Sequence, residues 1–281
     1  MLATAIACAV SAPAMAAGGA VALDTFPVEK MNSMPALQDG ARTFVNYCLN
    51  CHGASMMRYN RLKDIGLTDE QIVGSLMFTE GRVGDLMSVA MRPADGKLWF
   101  GAAPPDLSVV ARARSSHDGS GADWLYTYLR SYYRDASRET GWNNVIFPNV
   151  GMPHVLWQWQ GLRGATEEHI TRAAAEEGKP AGWTRTLITY DLHGNRTEKV
   201  EHLTGGDLHE GTHFTLGKPE GGTLSPEEFD DKVANLVAFM NYMADPTART
   251  RSSLGIWVML FMALFMATAW WLNREYWKDV K

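Results

Sequence analysis

The chain has 281 residues, a formal net charge of −5, and an ordinary globular composition apart from 15 Met and 10 Trp. It is too acidic for a typical nucleic-acid binder and too apolar for a disordered chain. The length allows one large domain or two small ones.

Residues Met1 to Ala17, MLATAIACAVSAPAMAA, have the apolar run and small residues of a secretory signal, with Ala14-Met15-Ala16 as the cleavage site. No Lys or Arg precedes that run. Residues 1–16 are read as the signal peptide. Removing them takes Cys8 away and leaves Cys48 and Cys51 as the cysteines of the mature chain. No structural disulfide is then expected, although the compartment would permit one.

The folded region opens at Ser33 to Tyr47. Leu37, Ala41, Phe44, Val45 and Cys48 share one face of a helix, and Pro35 suits its first turn. This helix runs into Cys48-Leu49-Asn50-Cys51-His52, a C-x-x-C-H motif. Two thiols add across the vinyl groups of a porphyrin, two intervening residues set their spacing, and the adjacent histidine supplies an axial imidazole. The rivals are a redox dithiol, which needs no trailing histidine and wants a βαβ context, and a zinc site, which needs a second ligand pair. No cysteine follows Cys51. An amphipathic helix leading into C-x-x-C-H is the arrangement of a class I cytochrome c.

Downstream, Thr68 and Gln71 form a capping box for a short helix whose apolar residues are Ile72, Val73 and Leu76. Pro104-Pro105 enforces an extended approach, after which Asp106 is expected to cap a helix running to Arg114. Arg112 and Arg114 then lie near the end of that helix. They read equally well as favourable helix-end charges or as partners of a haem propionate, whose buried carboxylate a guanidinium fork pairs bidentately. Trp124 to Tyr133, WLYTYLRSYY, reads as an aromatic helix, either plain core or a wall for a flat macrocycle. Gly141 to Pro153 reads as a loop carrying Met152 between Gly151 and Pro153. An iron held by one histidine needs a sixth ligand if it is to transfer electrons, and a thioether there raises the potential. Met152 is favoured by its position, with His154 as the nearest rival.

Thr166 to Glu177 reads as a surface helix whose Glu167, Glu168, Glu176 and Glu177 form either a solvated face or a docking patch for a basic partner. Trp183 to Leu203 reads as a β-hairpin around His193-Gly194-Asn195, inserted on the surface, and 204–224 as Gly-rich loop. Ser225, Pro226 and Glu228 then supply the N-cap, N1 and N3 of a strong helix. Its apolar stripe is Phe229, Val233, Leu236, Val237, Met240 and Met243, and it ends at Asp245-Pro246.

Leu254 to Leu272 is a run of 19 residues without a charge. At about 1.5 Å per residue it spans the ~30 Å hydrocarbon core, with Trp270 and Trp271 at an interface. Arg274, Lys278 and Lys281 follow it and place the C-terminus in the cytoplasm by the positive-inside rule. The domain reading is a signal over 1–16, a periplasmic haem domain over 17–246, and a membrane anchor with cytoplasmic tail over 247–281. The fold expected is mainly α: a class I cytochrome c-like haem domain with a β-hairpin insertion and one C-terminal transmembrane helix.

Together these residues resemble the cytochrome c1 family, the haem-c subunit of the ubiquinol–cytochrome c oxidoreductase. The carriers are Cys48–His52, Pro104-Pro105-Asp106-Leu107-Ser108 with Arg112-Ala113-Arg114, Gly151-Met152-Pro153, and Phe239 to Pro246 leading into the anchor. The resemblance implies one haem c held covalently by Cys48 and Cys51, with His52 and Met152 as axial ligands. Arg114 would contact a propionate, with Arg112 and Pro105 nearby. Trp124 stands where many relatives have a pocket Tyr, and its indole N–H could still donate there. The implied role is to pass electrons from the Rieske iron–sulfur protein to a soluble c-type cytochrome, with no catalytic site of its own, inside a quinol–cytochrome-c reductase. The implied partners are cytochrome b, those two redox proteins and membrane lipid, in a dimeric complex of the bacterial inner membrane, with no nucleic acid. The alternative is a membrane-anchored cytochrome c serving another respiratory complex, such as a terminal oxidase. A haem enzyme or gas sensor with an open sixth site is the remaining class, and Met152 argues against it.

Overall fold

The computed structural model describes residues 21–279 except Ala90, 174–181 and 204–207. The proposed signal and the acidic residues Glu176 and Glu177 therefore lie outside the described residues. The chain divides into two units. The first, on Leu23–Arg130, Gly151–Gln160 and the C-terminal part from Gly222, is helical. It contains α1 (Met34–Thr43), α2 (Asp69–Leu76), α3 (Pro93–Phe100), α4 (Val110–Ala113), α5 (Gly121–Arg130), α6 (Trp157–Gln160), α7 (Pro226–Ala244) and α8 (Ala248–Tyr276). A small antiparallel ladder joins β1 (Ala54–Arg58) to β2 (Leu86–Met87).

Local chemistry starts these helices where the sequence places them. Ser33 Oγ accepts from Ala36 N at the head of α1, and Pro35 occupies its first turn. Thr68 with Gln71, and Ser225 with Glu228, form reciprocal capping boxes on α2 and α7. Past Thr43 the backbone widens into a π-type turn over Phe44–Cys48, where Leu49 N donates to Phe44 O at 3.0 Å. Leu37, Ala41, Phe44, Val45 and Cys48 are buried, as is the whole predicted stripe of α7.

The core of this unit is the crossing of α1 and α7. Phe44 and Phe239 meet with ring centroids 5.6 Å apart. At Gly40 the backbones approach so closely that an added Cβ would lie 2.1 Å from Asn235 O. Beside it, Asp39 accepts from Lys232 Nζ at 2.6 Å and from Asn235 Nδ2 at 3.0 Å. Burial pushes the Asp39 carboxyl up, but Lys232, Asn235 and Arg42 outweigh it and hold its pKa below the ordinary value. Arg130 at the end of α5 clamps Asp230 of α7 bidentately, at 2.6 Å on each nitrogen. After Asp245, α8 carries a segment of membrane length, Thr250–Tyr276, within which an 18-residue stretch has mean hydropathy 1.8. Its 27 residues extend about 40 Å.

The second unit, built on Ser131–Val150 and Gly161–Gly221, is a β structure. Its strands are β3 (Tyr132–Arg134), β4 (Trp142–Asn144), β5 (Gly161–Leu162), β6 (Ala165–Arg172), β7 (Trp183–Tyr190), β8 (Arg196–Leu203), β9 (Gly211–Leu216) and β10 (Glu220–Gly221). Four of them form an antiparallel sheet in the order β8-β7-β6-β9. Tyr133, Val145, Ala165 and Tyr190 form its core, with Ile188, Phe214 and Leu216 packed against them.

This unit corrects several sequence expectations. The fold is not mainly α but mixed. Trp183–Tyr190 and Arg196–Leu203 do pair antiparallel, from Trp183↔Leu203 to Tyr190↔Arg196, yet as half of a larger sheet and not as a free-standing hairpin insertion. Thr166 to Arg172 is the strand β6, not a surface helix. Its carboxylates are committed to the sheet: Glu168 pairs with Arg185, and Glu167 with His169 at 2.9 Å. They form no free acidic helix face. The aromatic helix stops at Arg130, because Tyr132 and Tyr133 enter β3. The 141–153 segment contains β4, and the 204–224 segment contains β9 and β10.

Candidate haem site

Cys48, Cys51 and His52 lie on one helical turn. Cys51 N and His52 N both donate to Cys48 O, at 3.1 and 2.9 Å. Burial, then the neighbouring Cys51, push the Cys48 thiol up to about 12, and burial raises Cys51 as well. A redox dithiol works through a depressed thiol pKa, the opposite direction. The zinc rival has no ligand set, since no group of three or more His, Cys, Asp or Glu among the described residues is placed to hold a metal ion.

His52 is held by its backbone surroundings. Its Nδ1 lies 2.7 Å from Pro105 O, and a carbonyl can only accept, so Nδ1 carries the proton and Nε2 keeps its lone pair. Burial lowers the His52 pKa against the opposing pull of the Pro105 carbonyl and Asp106, which favours the neutral, ligating imidazole. The segment that offers Pro105 is itself laced to the motif. Leu107 N donates to Gly53 O at 2.8 Å, Ser55 N to Asp106 Oδ2 at 2.7 Å, and Met56 N to Ser108 Oγ at 2.9 Å. Asp106 does not cap a helix running to Arg114. Its Oδ1 accepts from Ser108 N at 2.8 Å, and the only helix there is the single turn α4. Burial pushes the Asp106 carboxyl up, but the bonds from Ser108 and Ser55 outweigh it and lower its pKa.

Met152 is half-buried in the same helical unit. The preceding Gly151 packs on the end of α3, where an added Cβ would lie 2.6 Å from Phe100 O. Tyr128 Oη donates to Met152 Sδ at 3.5 Å. Tyr128 stacks on Trp124, with centroids 4.8 Å apart and planes 12° apart, and Arg114 Cζ sits 4.3 Å from the Trp124 ring centre. Sequence reasoning missed Tyr128; its signal was the i,i+4 spacing from Trp124 within α5. Arg112 is exposed, and after Arg251 its charge helps to lower the Asp245 pKa. His154 is buried edge-on to Phe229, with Nε2 2.5 Å from Gln160 Oε1, so the rival ligand is already engaged in the core.

These residues fit a c-type haem. Two thiols unpaired with each other flank a neutral imidazole with a free Nε2, and a thioether is offered from a separate loop of the same unit. The class of protein so defined is a c-type cytochrome whose haem unit leads into a membrane-length helix. The model of the Cytochrome C1 family matches residues 27–163. The chain is 40% identical over 267 residues to the ammonia monooxygenase gamma subunit of Nitrosomonas europaea, covering 95% of this chain and 92% of that one. It is 37% identical to cytochrome c1 of Allochromatium vinosum, covering 95% and 93%. It is 22% identical to cytochrome b/c1 of Bradyrhizobium diazoefficiens, covering 87% of this chain and 33% of that longer one. The chain belongs to the cytochrome c1 family, and its cofactor is one covalently bound haem c.

Proposed function

We propose that this chain is the electron-transfer haem subunit of a bc1-type quinol–cytochrome-c reductase. Cys48 and Cys51 would hold the haem covalently, His52 and Met152 would ligate its iron, and Arg114 would meet a propionate, with Arg112 and Pro105 close by. The bound haem supplies a one-electron ferric/ferrous couple. The chain would supply an oriented imidazole and a thioether to the iron, a ligand pair that favours outer-sphere transfer over substrate binding. No general acid or base is required of the protein.

The observation that carries this reading is the lacing of Pro105–Ser108 to Gly53–Met56, which fixes His52 in its ligating tautomer. Cytochrome b is the membrane partner, in keeping with a relative named cytochrome b/c1 that is more than twice as long. The electron donor is the Rieske iron–sulfur protein and the acceptor a soluble c-type cytochrome, within a dimeric complex. The haem unit lies in the periplasm of a bacterial inner membrane, α8 crosses the bilayer once, and Arg274 and Lys278 mark the cytoplasmic side.

Purification of the intact chain from its native membrane tests the complex. Co-elution of b-type haem and a Rieske centre is the expected result. Co-elution with a terminal oxidase, or with a monooxygenase as one relative's name suggests, would replace this reading. Met152→Leu tests the ligand set: loss of the ferric thioether charge-transfer band and a lower reduction potential are expected, and unchanged spectra would reject Met152.

A further inference from the structure

We propose that Tyr128 is a positioning residue for the Met152 thioether, held in place by a stacked relay of Trp124 and Arg114. This rests on Met152 being the iron ligand. Trp124 and Tyr128 sit four residues apart on α5, so their rings share one face, and they lie almost parallel at 4.8 Å. Arg114 covers the other part of the stack, 4.3 Å from the Trp124 ring centre, within cation–π range. Its position is set by the backbone: Gly121 N at the start of α5 donates to Ser115 Oγ at 3.0 Å, tying the residue after Arg114 to the aromatic helix.

The buried Tyr128 ring therefore rests on Trp124, which fixes the direction of its hydroxyl. That direction ends on Met152 Sδ at 3.5 Å. A phenol donating to a thioether draws electron density from the sulfur. The sulfur then stabilises the ferric iron less, which raises the reduction potential. The relay gives a role to Trp124: it is a plate between a guanidinium and the tyrosine that touches the Met152 sulfur. The residue proposed to meet a propionate and the residue that sets the axial sulfur thus belong to one stack.

The test uses the haem-loaded full chain in detergent, with redox titration and the ferric thioether band as readouts and thermal unfolding as control. Tyr128→Phe removes one oxygen and keeps the ring. At a fixed ambient potential near the midpoint, its ferric-to-ferrous ratio is expected to rise about three- to tenfold, the worth of one modest hydrogen bond. Trp124→Ala is expected to shift the ratio in the same direction, and Trp124→Phe, which keeps an aromatic face, to shift it less. An unchanged ratio in Tyr128→Phe overturns the proposal, as does a shift in Trp124→Ala without one in Tyr128→Phe. Met152→Leu measured alongside separates the two levels. If it alters the band while Tyr128→Phe changes nothing, only the relay falls; if it alters nothing, the ligand assignment falls with it.

Discussion

The two sides of the proposed haem site, His52 and Met152, are held by different kinds of force. The histidine side is fixed mainly through backbone groups: a helical turn bonded to Cys48 O, a carbonyl on His52 Nδ1, and the Pro105–Ser108 segment, where Leu107 N bonds Gly53 O and the Asp106 and Ser108 side chains accept from Ser55 N and Met56 N. Behind it stands the α1–α7 crossing, where Gly40 meets Asn235 O with no room for a side chain. The methionine side is fixed by side chains: one hydroxyl, one aromatic stack and one guanidinium, all short of full burial except Tyr128. Backbone hydrogen bonds survive most substitutions, whereas a side-chain stack changes with each residue in it. The histidine side therefore carries stability, and the methionine side is where sequence variation can tune the potential.

That contrast is open to direct attack. The largest effect is expected from Gly40→Ala, which drives a methyl group into the Asn235 carbonyl and cannot be relieved by a flexible side chain. A loss of about 3 kcal/mol in thermal or denaturant unfolding is expected, with the reduction potential unchanged. A shifted potential would break the division between the two sides. Next, Asp106→Ala removes the acceptor of Ser55 N and Ser108 N. A stability loss of about 1–2 kcal/mol is expected, with the ferric thioether band intact. The smallest effect is a pH dependence. In the folded chain the Asp39 and Asp106 carboxyls are both held below the ordinary aspartate pKa. Their contributions are complete above the unfolded pKa and are lost as pH falls through the lowered folded values. Acid titration of unfolding should show stability falling below about pH 4, less steeply in Asp39→Asn. An equal slope in that variant would remove Asp39 from the account.

How much of this was legible in the sequence follows the range of the interactions. Helices α1, α2 and α7 announce themselves because caps, first-turn prolines and apolar spacing all act within a few residues. Strand β6 was misread because what decides it lies far along the chain. Glu168 finds Arg185, and His169 Nδ1 finds Thr212 Oγ1 at 2.9 Å. Without those partners, TEEHITR with its early acids passes for a surface helix; with them, its Thr and Ile residues suit a strand. The same reason explains Asp106: a carboxylate after Pro-Pro looks like a helix cap until the backbone of Ser55 is brought beside it.

The order of residues already carries the chemistry: two thiols and an imidazole at the spacing of a haem c, a methionine between Gly151 and Pro153, and a charge-free run of membrane length. These are set by covalent spacing and local periodicity, which need no tertiary partner. Folding in three dimensions sets which His52 nitrogen carries the proton, commits His154 to the core, and stacks Arg114, Trp124 and Tyr128 toward Met152. Those facts depend on a carbonyl 53 residues away, and on α4, α5 and the methionine loop meeting in space, which no local pattern encodes.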